Sequence, residues 1–246
     1  MYFLISGEGP TDIGICRNGQ MVCYGENFRK GPMASVADQI VRSKAMDSIF
    51  ANASRFEFVS NQKLSAGAGR FKAVRKTIRL PGKKVKKETR YFFNNARALA
   101  KLAKEKAQHP DAAVVAILFR DADGTASAAR GQWADKYQSM LDGFAEENFS
   151  GGVPMVPKPK SEAWLICALK AAGHQSCEAL ENRSGNDHSP NAIKDELAGL
   201  LPQNGAHDWL CAQIDQDQIL INEIDMPSFN KFRTRFEEVL GSMPPG

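Results

Sequence analysis

The chain has 246 residues, 43% hydrophobic and 24% charged, with a formal charge of +4. That is enough apolar material for one large α/β domain or a core with a smaller appendage. No apolar run approaches the ~20 residues that span a bilayer, so no membrane-spanning helix is expected.

Residues 1–6 are apolar but lack a basic leader and run into Gly7-Glu8-Gly9. They read as a first strand rather than a signal peptide. The five cysteines, Cys16, Cys23, Cys167, Cys177 and Cys211, are odd in number and contain no C-x-x-C pair. They read as reduced thiols of a cytoplasmic protein, and their spacing argues against a zinc site. Pro10 and Thr11 suit a helix start after the first loop. Residues 17–33 read as loop with a short hairpin at 20–24. The spacing of Val36, Ile40, Val41, Met46, Ile49 and Phe50 predicts a helix over 34–52. The alternation at 55–60 predicts a strand.

The net charge conceals a local excess. Arg70, Lys72, Arg75, Lys76, Arg79, Lys83, Lys84, Lys86, Lys87 and Arg90 face one acid, Glu88, so this run carries +9 and the remainder of the chain −5. Concentrated positive charge on a mildly acidic body points to a polyanion, with a phosphate backbone as the natural target. The alternative is a solvated surface run. Ser65-Ala66-Gly67-Ala68-Gly69 before it reads as a mobile loop. Pro81-Gly82 divides the run into two arms, as a hairpin tip or a disordered flap.

An Ala/Lys/Arg/Leu pattern predicts a helix over 89–108, closed by His109-Pro110. Residues 114–119 are six apolar residues in succession, a strand buried on both faces as in the middle of a parallel sheet. The strand ends in Arg120-Asp121-Ala122-Asp123-Gly124-Thr125. Side chains alternate along an extended chain, so Asp121 and Asp123 share a side and could hold one cation. Residues 125–149 read as a helix with Trp133, Tyr137, Leu141 and Phe144 on one face. Residues 153–156 read as a strand, 157–160 as a proline-stiffened loop. Ser161 reads as the cap of the apolar helix that follows, with Glu162 in its first turn.

Beyond Gly173 the texture is helices and loops. Asn186-Asp187-His188-Ser189 either reaches the site or caps a helix. Ser189-Pro190 reads as the opening of a helix to Leu201, and Pro227-Ser228 of another to Leu240. Phe229, Phe232 and Phe236 have the spacing of core packing. The four histidines show no metal spacing, and Gly67-x-Gly69 lacks the strand and helix of a dinucleotide fingerprint.

Three constellations carry chemistry. Glu8 sits between glycines at the carboxyl end of strand one, where open α/β sheets collect ligands. Asp121-x-Asp123 offers the hard oxygens that Mg²⁺ takes. Lys158 and Lys160 precede Glu162 on a stiff loop, where a lysine could neutralise a phosphate and the acid could join the site. Each has a plainer reading: a polar turn, a helix cap with a solvated neighbour, and a dipole-favouring acid beside a core tryptophan.

Together, Glu8-Gly9-x-x-Asp12 and Asp121-x-Asp123 resemble the TOPRIM domain of topoisomerases, primases, small ribonucleases and overcoming-lysogenisation-type nucleases. Val153-Pro154 to Glu162-Ala163-Trp164-Leu165 resembles a TOPRIM-like bacterial family, some of whose relatives sit near anti-phage genes. The resemblance implies a Rossmann-like, mostly parallel sheet flanked by helices. It would fill residues 1–172, with a basic insertion at about 61–90 and a helical C-terminal part over 173–246. It implies a Mg²⁺- or Mn²⁺-dependent nuclease, with a place in anti-phage defence. Glu8 would be general acid/base or metal ligand, Asp121 and Asp123 metal ligands, Asp12 and Glu162 supporting ligands, and Lys160 a catalytic cation. Nucleic acid would be the partner, together with a protein such as the ATPase of a defence module. No tyrosine suggests a topoisomerase nucleophile.

Two rivals use the same residues. Asp121-Ala122-Asp123-Gly124-Thr125 after an apolar strand also matches the haloacid-dehalogenase phosphatase signature, with Asp121 attacking phosphate and Asp123 as acid/base. Lys158 would then supply the lysine, but Asp215-x-Asp217 lacks a preceding strand and Glu8 goes unused. In the other, a TOPRIM-like core binds nucleic acid or a partner without catalysis.

Overall fold

The computed structural model describes residues 1–69, 71, 87–107, 113–122, 132–169 and 177–243. In chain order the elements are β1 (Tyr2–Gly7), β2 (Gly14–Cys16), β3 (Val22–Cys23), β4 (Phe28–Lys30), α1 (Pro32–Ser43), β5 (Phe56–Ser60), α2 (Asn61–Ala68), α3 (Lys87–Lys106), β6 (Val114–Phe119), α4 (Gln132–Glu146), β7 (Gly152–Met155), α5 (Ser161–Leu169), α6 (Ile193–Leu200), α7 (Ala206–Asp215) and α8 (Pro227–Ser242). A π-type turn over Gly9–Ile13 stands where Pro10 and Thr11 suggested a helix start.

The six apolar residues of β6 are all buried, as a strand covered on both faces requires. β6 lies beside β1 in a five-stranded sheet of order β3-β5-β1-β6-β7. The pairings of β5, β1, β6 and β7 are parallel, and only the edge strand β3 runs antiparallel. The fold is thus α/β with a mostly parallel sheet between two helical layers. Alternation along β6 divides the core. Val115, Ile117 and Phe119 pack with residues of α1, α5, α7 and α8 on one face, while Val114, Ala116 and Leu118 pack with α3 and α4 on the other. Phe229, Phe232 and Phe236 are fully buried, and Phe229 and Phe232 pack against the ring of Trp164. The C-terminal helices therefore share the core of the first layer. Among the described residues no helix is long and apolar enough to cross a membrane.

Several expectations are corrected. The helix expected over 34–52 stops at Ser43, and Ala45 takes a positive φ of 56°. Ile49 still reaches the core because its N–H donates to Asp38 Oδ1 of α1 at 2.6 Å. The segment expected to form a hairpin at 20–24 instead gives β3 to β5, and the antiparallel partner of β2 is β4. The glycine-rich stretch expected as a mobile loop is largely α2, whose N-terminus is capped by Ser60 Oγ accepting from Lys63 N. The helix expected to open at Ser189-Pro190 begins only at Ile193. The expected hairpin tip or flap at Pro81-Gly82 and the start of the helix expected from 125 lie outside the described residues.

The thiols are also corrected. Cys16 bonds to Cys23 and Cys167 to Cys177, with Cα–Cα separations of 5.7 and 5.6 Å. The first joins β2 to β3; the second ties α5 to the 3₁₀ turn at Cys177–Asn182. Disulfides persist where the surroundings are oxidising, so the cysteine argument for a cytoplasmic place falls away. Cys211 is the free cysteine; burial pushes its thiol up to about 11, which leaves it unreactive. Alkylation of the native, unreduced chain should therefore leave all five cysteines unlabelled. Unfolding without reductant should expose a single thiol, and non-reducing peptide mapping should recover the two pairs.

Candidate functional site

Register places the first polar residues beyond the sheet. Gly7 of β1 pairs with Phe119 of β6 on one side and Ser60 of β5 on the other. Glu8, Arg120 and Asn61 are therefore the next residues of three adjacent parallel strands, side by side at the carboxyl edge. They form one network. Arg120 Nη1 donates to Glu8 Oε2 at 2.9 Å, and Arg120 Nη2 to Asn61 Oδ1 at 2.6 Å. The Tyr91 ring of α3 lies over the guanidinium at 4.9 Å, and its hydroxyl donates to the same Asn61 oxygen at 3.1 Å. Arg120 is 0% exposed, whereas the Glu8 side chain is 39% exposed. One Glu8 oxygen thus compensates a buried cation. Among the described residues Glu8 Oε1 accepts no hydrogen bond.

A second group gathers on Ser161, the first residue of α5. Its N–H donates to Asp121 Oδ1 at 2.9 Å, and its Oγ lies 2.8 Å from Asp12 Oδ1 and 3.3 Å from Glu162 Oε2. Ser161 is thus the first helical residue rather than the cap, and the Asp121 carboxylate, just past the end of β6, stands at the helix's N-terminal end. That placement favours negative charge. A serine hydroxyl carries one proton, so it can serve only one of Asp12 and Glu162 at a time. Burial, with the charges of Glu162 and Glu8, pushes the Asp12 carboxyl above its ordinary value, against the lowering effect of Ser161 and Lys160. A protonated Asp12 can donate to Ser161 Oγ, which then donates to Glu162. Gly9, at φ 78°, is required beside it, since an added Cβ would stand 2.0 Å from Asp12 Oδ2.

Of the expected site residues, Glu8, Asp12, Asp121 and Glu162 are brought to one edge of the sheet, in two groups linked through Asp12. Asp123 lies outside the described residues. Lys160 is buried and donates to Asp187 Oδ1 at 2.7 Å, holding that carboxyl below its ordinary value. The loop at 186–189 thus reaches the site, the first of its two readings. Lys158 pairs with the buried Glu181 instead. Of the basic run, Lys87 begins α3 and Arg90 is exposed on it; Arg70, Lys72, Arg75, Lys76, Arg79, Lys83, Lys84 and Lys86 lie outside the described residues.

Four residues had not been singled out: Arg120, Asn61, Tyr91 and Lys136. The buried Lys136 of α4 donates to Ala122 O at 2.6 Å and so anchors the backbone next to Asp121. Arg120 did carry a signal, a lone cation between a fully apolar strand and an acid. The others had none, because their roles depend on helices meeting the sheet edge.

The acids present carboxylate oxygens, the donors Mg²⁺ and Mn²⁺ prefer. Among the described residues no three of His, Cys, Asp and Glu already stand as a metal-holding cluster. Comparison with protein-family models, with curated proteins and with solved structures finds no match.

Because folding favours protonated Asp12, its ionisation costs stability as pH rises above the ordinary carboxylate pKa. Asp12→Asn is therefore expected to melt higher than the parent at neutral pH and level with it in acid. Thermal melts across that range check this; a variant that melts lower at neutral pH would show Asp12 to be stabilised by its neighbours instead.

Proposed function

We propose that the chain is a metal-dependent nuclease of TOPRIM-like architecture, acting on nucleic-acid phosphodiester bonds. The observation that carries this reading is the convergence of Glu8, Asp12, Asp121 and Glu162 at the carboxyl edge of a parallel sheet. Burial first, and then the charges of Glu162 and Glu8, raise the Asp12 carboxyl, and a divalent cation would offset both. Asp12, Asp121 and Glu162 would hold Mg²⁺ or Mn²⁺, with Glu8 alongside. When bound, the ion supplies Lewis-acid stabilisation and an activated water.

The chain's own residues have separate work. Glu8 Oε1 is placed to take or return a proton while Oε2 stays on Arg120. Arg120 fixes that carboxylate in place. Lys160, restrained by Asp187, adds positive charge next to the acids and favours an approaching phosphate. The run from Arg70 to Arg90 would grip the backbone of the substrate, whether DNA or RNA. A protein partner, such as the ATPase of a defence module, and a role in phage defence belong to the same reading.

A metal-free nucleic-acid-binding function is favoured by one observation, the engagement of Glu8 with a fully buried arginine. The two part experimentally. For the nuclease, Glu8→Ala and Asp121→Ala should each lower Mg²⁺-dependent cleavage by roughly 10²- to 10⁴-fold while the far-UV spectrum stays folded. Cleavage retained by both variants would end the assignment, and salt-sensitive binding without cleavage would select the binding function.

Charge reversal at Lys83, Lys84, Lys86 and Lys87 should weaken binding to many sequences alike and flatten its dependence on salt. Affinity titrations at several salt concentrations measure both, and unchanged binding would make the run a solvated face.

A further inference from the structure

Between Glu57 and Glu105 the sequence holds a single acid, Glu88. The same stretch carries the basic run already described and, outside it, Lys63, Arg97, Lys101 and Lys104. The fold turns this bias into a surface. α2 carries Lys63, contains no acid and packs against α3, which has none between Glu88 and Glu105. Arg90, Asn94, Arg97, Lys101 and Lys104 follow one another at alternating steps of four and three residues, which sets them in one stripe along α3. At ~1.5 Å per residue the stripe runs roughly 21 Å. It starts beside Tyr91, the ring over Arg120, so one end adjoins the Glu8 side of the candidate site. Acid returns at the far end, with Glu105 and the pairing of Lys106 with Glu57.

These cations are held in place more than they are neutralised. Arg97 and Lys101 both stand over the Phe71 ring, 4.2 and 4.4 Å from its centroid. Among the described residues the stripe forms ion pairs with Glu147 alone, at 2.6 Å from Arg97 and 3.9 Å from Lys101. Lys104 donates to the main-chain oxygen of Glu147 at 3.0 Å, a contact that leaves its charge intact. Lys63, Arg90, Lys101 and Lys104 are all exposed. A cavity of about 240 Å³ indents the face between α2 and α3, with Arg90 in its wall and no acid lining it among the described residues. A cleft of one sign of charge concentrates the field above it.

We propose that this face of α2 and α3 is a docking surface for the phosphate backbone of a nucleic acid, leading from the Glu8 side of the site to Lys104. The inference rests on the nucleic-acid reading above and gives the strand a path. Phosphates follow one another at ~3.4 Å along a duplex strand, so roughly six would lie along the stripe. Side chains already pinned on a ring or a carbonyl lose less freedom when a ligand binds, which sets this stripe apart from a row of freely solvated lysines.

The test is fluorescence anisotropy in EDTA with labelled oligonucleotides, DNA and RNA, single-stranded and duplex, at several salt concentrations. Lys101→Gln combined with Lys104→Gln should flatten the slope of log affinity against log salt by roughly 1.4 on single strands or 1.8 on a duplex. Lys101→Arg with Lys104→Arg keeps both charges and should keep the slope, which separates charge from packing. Lys231→Gln, at an exposed position of α8, should leave slope and affinity as they were. All three substituted positions are exposed, so the variants should melt with the parent. A slope that the double glutamine variant does not move, or an equal loss with Lys231→Gln, would overturn the proposal. So would failure to bind any oligonucleotide, or binding confined to phosphatidylserine vesicles. Binding with the expected slopes but no cleavage in Mg²⁺ would keep the surface and remove the nuclease. Cleavage with the slope unmoved would do the reverse.

Discussion

The arrangement at the sheet's edge depends on one buried charge. Arg120 follows the most deeply buried strand, and its guanidinium is shut off from water. It therefore needs partners from whatever reaches it: Glu8 from β1, Asn61 at the start of α2, and the ring of Tyr91 on α3. Breaking a buried ion pair by removing one partner costs on the order of 3–5 kcal/mol. The partial exposure of Glu8 moves the pair toward the lower end of that range. A guanidinium over an aromatic face adds about 0.5–2 kcal/mol. One side chain thus fixes two strands and two helices against each other.

The two halves of the site follow from alternation along β6. Arg120 turns to the layer of α2 and α3, while Asp121, one residue later, turns to α5 and meets the N–H of Ser161. The first half has its charge balanced; the second is crowded with acids that share one hydroxyl.

The sheet was the legible part of the sequence. Six consecutive apolar residues at 114–119 have no stable place except between two layers, and an acid immediately after them falls at the carboxyl edge. Glu8 and Asp121 were legible for that reason, as were Phe229, Phe232 and Phe236 by their helical spacing. What could not be read was the side-to-side order of the strands, which alone puts Asn61 next to Glu8 and Arg120. α2 was obscured because Gly67 and Gly69 read as loop, although the Ser60 cap was present. The disulfides were hidden because Cys16 and Cys23 meet only after β2 and β3 have gone to different sheets.

The pairing of Tyr2 with Val114 and of Gly7 with Phe119 also has a temporal consequence. β1 cannot find its central neighbour until more than a hundred further residues exist, and α5 must follow before Asp121 meets Ser161. Pairing across such separations is slow to form because the intervening chain must first close a loop. During synthesis Glu8 appears early and remains chemically idle until the chain has passed its middle. Growing chains and early truncations thus lack the assembled acids, and whatever chemistry that edge performs is confined to the finished fold.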